Sequence, residues 1–156
     1  MSKGSNLKIE IEAPEHGWTH VKLSYENNSY EFFPSDVPID SISELVKAII
    51  KILNGNNQSK VYWNDEPVEH NFIFTVENGF CDFKVYEVFE SVVGMNLEER
   101  FSFIGTKHEV LQPFWKALCD LKAKQSLNEY EKHWGNPFPT NEMLEIKQKL
   151  QSLRNE

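Results

Sequence analysis

A histidine and a glutamate, His70 and Glu87, are the strongest candidates in this chain for acid–base chemistry. A carboxylate beside an imidazole favours the imidazolium, and partial desolvation of both would tune a proton transfer. The same two residues also read as a cross-strand ion pair at the edge of a core, worth ~0.2–1 kcal/mol and catalysing nothing. A second constellation, Asp65, Glu66 and Glu69, flanks Trp63 and precedes His70. Carboxylates around an aromatic anchor suit recognition of a basic protein surface, because charge steers encounter and aromatic rings carry binding energy. Trp63 itself shares the parity of Val61, which predicts that it packs inward.

Other chemistries lack their spacing. His16 and His20 stand i,i+4 but fall across a turn and a strand start, where four positions span ~13 Å, too far to share one ion. His108 and His133 add no ligand set, so no metal is expected. Cys81 reads as a core-strand residue and Cys119 as mid-helix, and neither begins a helix that would activate a thiolate. No Gly-x-Ser-x-Gly elbow, Gly-x-Gly-x-x-Gly fingerprint or phosphate loop occurs, so no cofactor is expected and the case for an enzyme is weak.

The elements that must position these residues are legible in the apolar periodicity. Leu7, Ile9 and Ile11 alternate with charged residues as a first strand, and Val21, Leu23 and Tyr25 form the face of a second. A short third strand runs from Tyr30 to Phe33 and stops at Pro34. Ser41 with Glu44 is a capping-box pattern that opens a helix carrying Ile42, Leu45, Val46, Ile49, Ile50 and Leu53, and Asn54-Gly55 stops it. Val61 and Trp63 mark a fourth strand, broken by Asp65-Glu66-Pro67 with Glu66 extended before the proline. Asn78-Gly79 between two alternating aromatic runs predicts a two-residue type I′ hairpin. Its register makes opposed positions sum to 157 and sets His70 against Glu87 on the core-facing side. From Ser91 to Lys107 the pattern weakens: Asn96 with Glu99 suggests a short helical turn, and Phe101 to Ile104 a closing strand or loop. Thr106 with Glu109 caps a long helix through Leu121, although Pro113 moves its expected start toward Gln112. Tyr130 and Trp134 extend that helix or begin another after Ser126, then Gly135 and Asn136-Pro137-Phe138-Pro139 lead to a last helix from about Asn141 to Leu153. The expected fold is α+β, an antiparallel sheet of about six strands in the order βββα–βββ–αα, with helices on one face of a single domain, 1–156.

Composition bounds the function classes. The 156 residues carry 16 basic and 24 acidic side chains, a net charge of −8, and 40% are hydrophobic, enough for a core without staples. Acidity concentrates in residues 57–105, at −6, against −3 before and +1 after. That balance disfavours nucleic acid. No run approaches a membrane span, and the start MSKGSNLKIEIE lacks the apolar stretch of a signal peptide, so a cytoplasmic protein is expected.

Trp63-Asn64-Asp65-Glu66-Pro67 at a strand end, followed by Tyr130-Glu131-Lys132-His133-Trp134-Gly135 and Phe138-Pro139, resembles patterns in small uncharacterised bacterial proteins that are similar to immunity proteins of polymorphic toxin systems. The resemblance follows the order of elements over most of the chain and implies a non-enzymatic cytoplasmic protein with a protein partner. It transfers no binding residue. The expectation is a non-catalytic protein-binding domain whose Asp65, Glu66 and Glu69 meet a basic toxin or effector. The alternative is a small enzyme or ligand-binding protein using His70 and Glu87.

Overall fold

The structure is a computed structural model and describes residues 6–154; the two ends of the expected 1–156 domain lie outside the described residues. In chain order the elements are β1 (Lys8–Ile11), β2 (Val21–Tyr25), β3 (Asn28–Phe32), α1 (Ser41–Leu53), β4 (Gln58–Asp65), β5 (Val68–Glu77), β6 (Phe80–Ser91), β7 (Gly94–Gly105), α2 (Lys107–Ala123), α3 (Leu127–Trp134) and α4 (Thr140–Arg154). The fold is α+β. The strands number seven rather than about six, and they form two antiparallel sheets, β1-β2-β3 and β4-β5-β6-β7. Helix α1 intervenes between β3 and β4, and those strands do not pair along their length. An isolated bridge from Ser35 to Asn64 ties the sheets instead.

The β5–β6 hairpin is built as the Asn-Gly turn dictates. Asn78 and Gly79 take φ of +53° and +82°, the double left-handed geometry of a type I′ turn. The pairs run from Glu77–Phe80 through Phe74–Phe83 and Phe72–Val85 to His70–Glu87, each summing to 157. Phe72, Phe74 and Phe83 therefore line one face, and Phe114 of α2 sits over all three with ring centroids at 6.1, 5.3 and 5.0 Å.

The segment after Ser91 departs from expectation in its first part. Asn96 to Glu99 forms no helical turn: β6 runs on to Ser91, turns at Val92-Val93, and returns as β7, so that Phe101 to Ile104 is a closing strand rather than a loop. A bulge lies between Val85 and Tyr86, where Phe101 and Glu99 are consecutive partners and Arg100 is left unpaired. An extra residue of this kind reverses the side-chain parity of everything beyond it, which is why periodicity fades there.

Helices α1 and α2 cover the core side of the four-stranded sheet, α2 also packs on β1, and α4 packs against both helices. The cap of α1 is Asp40 rather than Ser41: Asp40 Oδ1 accepts from Ser43 N–H at 3.1 Å and from Trp134 Nε1–H at 2.8 Å. Ser41, one residue inside, spends its hydroxyl on the Tyr62 carbonyl. The carboxylate one position earlier wins because it can also reach across to α3. Thr106 and Glu109 form the expected capping box, so α2 starts at Lys107 and tolerates Pro113 within it. Tyr130 and Trp134 are buried on a separate helix, with Tyr130 edge-on to Phe138 at 5.2 Å, which is packing.

Trp63 is fully buried, edge-on to Phe32 at 5.7 Å and tilted against Phe72 at 5.3 Å. Truncating Trp63→Ala should cost about 3–5 kcal/mol of stability. Denaturant melts measure it, and a loss under about 1 kcal/mol would contradict a core role.

Candidate functional site

Two groups of polar residues meet at the end of the four-stranded sheet that holds the β4–β5 and β6–β7 turns. The first is a polar row on the core face. Trp63, His70, Glu87 and Glu98 are successive partners across β4, β5, β6 and β7. The expected pair is in register, but its Nε2–Oε2 separation is 4.0 Å, too long for a hydrogen bond. Each member is taken up by something else. His70 Nε2 shares a 2.5 Å hydrogen bond with Tyr30 Oη of β3, and its ring stacks on Phe32 at 4.3 Å. Glu87 Oε1 accepts from Arg100 Nε at 2.9 Å and from a second guanidinium nitrogen at 2.5 Å. That guanidinium also reaches Glu98 at 2.8 Å.

Burial sets the protonation. His70 is 1% exposed and Glu87's side chain 20%. Desolvation drags the His70 pKa down to about 4, with Glu87 pulling upward and Arg100 pushing further down. The imidazole is therefore neutral near neutral pH, the reverse of the imidazolium that an adjacent carboxylate alone would favour. Desolvation likewise pushes Tyr30 up to about 12, so its phenol keeps its proton. His70 Nδ1 and Trp63 Nε1 are buried without a hydrogen-bond partner.

Beside this row lies an open depression of about 840 Å³, bordered by Pro67, Val68, Glu87, Phe89, Val92 and Arg100. Glu87 and Arg100 reach it. His70 does not border it, and at 4.0 Å from Glu87 it has no direct hydrogen bond to the carboxylate that does.

The second group is the acidic turn. Asp65 is half-buried, and its Oδ2 accepts from Phe33 N–H at 3.3 Å, fastening the end of β3 to the turn. Burial raises its pKa above the usual carboxylate value. Glu66 and Glu69 are exposed and make no ion pair among the described residues, as is Glu90 on the neighbouring hairpin. Arg100 is the residue that sequence reasoning missed, together with Tyr30. No local signal marks either, since one lies in a bulge and the other on a strand of the opposite sheet.

The other histidines disperse. His20 bonds Glu31 at 2.8 Å and stacks on Phe33, whereas His16 meets the His133 ring edge-on at 5.8 Å. Among the described residues no three His, Cys, Asp or Glu side chains are grouped as metal ligands, and no helix is long and apolar enough to cross a membrane. Comparison with protein-family models, curated proteins and solved structures found no match.

The His70 environment predicts a pH signature. Its pKa is near 6.5 when unfolded and about 4 when folded. Between those values the unfolded chain binds the extra proton, so stability falls as pH drops through that window, by on the order of 3 kcal/mol in full. Denaturant stability of wild type relative to His70→Gln should decline from pH 7 to 4; parallel curves would refute a neutral buried histidine. Replacing Arg100→Met removes the nearest positive charge and should raise the His70 pKa, read by NMR titration. An unchanged or lower value would contradict the electrostatic role assigned to Arg100.

Proposed function

We propose that the protein is a non-catalytic, cytoplasmic binding domain, an antitoxin-like immunity protein, that occludes a basic toxin or effector. One observation carries the reading. At the turn-bearing end of the four-stranded sheet, Glu66, Glu69 and Glu90 stand exposed without an ion-pair partner among the described residues, while Arg100 is committed to Glu87 and Glu98. Negative charge left uncompensated on one end of a molecule raises the encounter rate with a positive surface. The buried neutral His70 and its separation from the depression agree with a structural polar row rather than a proton shuttle. Asp65, by contrast, is spent on the Phe33 backbone, so the partner-facing charge falls to Glu66 and Glu69.

Co-expression with products of neighbouring toxin-like genes tests the proposal, and failure to bind or neutralise any of them would remove it. With a partner in hand, Glu66→Gln/Glu69→Gln should slow association roughly 3–10-fold and change dissociation much less. The effect should shrink as salt rises past physiological strength, where the screening length falls below ~8 Å. A change confined to dissociation would assign these carboxylates some other role.

A further inference from the structure

The β6–β7 hairpin carries apolar surface that the fold leaves unused. Met95, Leu97, Phe101 and Phe103 all occupy odd positions, so an unbroken strand would put them on one face. The bulge at Arg100 divides them. Phe101 and Phe103 oppose Val85 and Phe83 in the core, whereas Leu97 and Met95 oppose Val88 and Glu90 on the outer face, 60% and 66% exposed. The turn adds Val92 and Val93, 105% and 85% exposed. Valine is a poor turn residue, and at such exposure it gains nothing from burial, so the stability of the fold does not explain these side chains.

The tip is nevertheless held in one shape. Gly94 takes φ +112°, which closes a turn whose two valines keep negative φ. Asn96 Nδ2–H donates to Ser91 Oγ at 2.6 Å and to the Gly94 carbonyl at 3.0 Å, and Val93 N–H donates to Ser91 Oγ at 3.3 Å. Internal hydrogen bonds of this kind reduce the entropy lost when a partner orders the turn.

Charge identifies the occupant. Glu69, Val88 and Leu97 form one row across β5, β6 and β7 on the outer face, and Glu90 opposes Met95. Glu69 and Glu90 have no ion-pair partner among the described residues, whereas Glu99 nearby is already paired with Lys84 at 3.7 Å. Val88 is buried in that row, so the exposed apolar side chains, Met95 and Leu97, lie on the edge strand beside the unpaired carboxylates and match a segment with apolar side chains beside cations.

We propose that this hairpin anchors a cationic, apolar-centred segment of a protein partner, with its apolar side chains on Val92, Val93, Met95 and Leu97 and its Lys or Arg against Glu69 and Glu90. The inference rests on the protein-binding function proposed above and adds the element that holds the partner once it has arrived. Carboxylates govern arrival; desolvated apolar contacts govern departure.

The test offers random linear peptides, displayed on phage, to the immobilised full chain. Selected peptides should place Lys or Arg next to Leu, Ile, Phe or Trp. Their synthetic forms should bind a Val92→Ser/Met95→Ser variant about tenfold or more weakly than wild type. They should also slow amide exchange across residues 88–97 of the wild-type protein, a readout that does not depend on the variant folding. Basic peptides that bind the variant undiminished and protect only the β4–β5 turn would overturn the hairpin anchor and leave the basic-partner reading standing. Selection of neutral or acidic peptides, or of none, would overturn both.

Discussion

Asn78 and Gly79 hold two adjacent residues in left-handed backbone, and the pairing of β5 with β6 follows from that turn. A slip of one residue would turn one strand over and move either Phe83 or the pair Phe72 and Phe74 from the core to the outer face. The aromatic layer beneath Phe114 of α2 would then be broken. The same register carries His70 inward at one end and Glu69 outward beside it, so the buried polar row and the exposed acidic surface are two faces of one pairing. In this sense the turn decides more than the hairpin it closes.

The polar row shows how a buried histidine is accommodated. Ion pairing with Glu87 would require a charged imidazole in a site 1% exposed, and desolvation opposes that more strongly than the carboxylate favours it. The structure resolves the conflict by separating the partners. Tyr30 supplies a neutral hydrogen bond to His70, and Arg100 supplies a charge-assisted one to Glu87 nearer the solvent. Glu87 thereby keeps a counter-ion, and its charge need not be met by the imidazole.

Arg100 links this row to the hairpin surface. Its position in the bulge directs the guanidinium to Glu87 and Glu98, and that clasp fixes the place where β7 changes parity. On one side of the bulge apolar residues fill the core; on the other Leu97 and Met95 face outward beside carboxylates. A surface of this kind is costly for solubility unless a partner covers it, and charge around it limits which partner can. The protein-binding reading draws the acidic turn and the hairpin into a single face.

The sequence by itself determined what local chemistry controls. Asn78-Gly79 specified a turn geometry and therefore a register; alternation placed Trp63, Phe72 and Cys81 in the core; Thr106 with Glu109 marked a capping box, although Pro113 left the start of α2 to the structure; and the acidity of residues 57–105 was plain by counting. Each depends on neighbours a few positions away. Tertiary structure decided the rest, because the partners lie far apart in the chain. Asp40 displaced Ser41 as the cap of α1 by also accepting from Trp134, 94 positions on. The strands sort into two sheets joined by the Ser35–Asn64 bridge, a division that no local pattern marks. His70 became neutral because Phe32 and Tyr30, from the other sheet, bury it more effectively than Glu87 can charge it. The outward turn of Met95 and Leu97 came from one unpaired residue, Arg100, which a period-two pattern cannot register: an inserted residue leaves the spacing of the apolar positions unchanged and reverses the face they occupy.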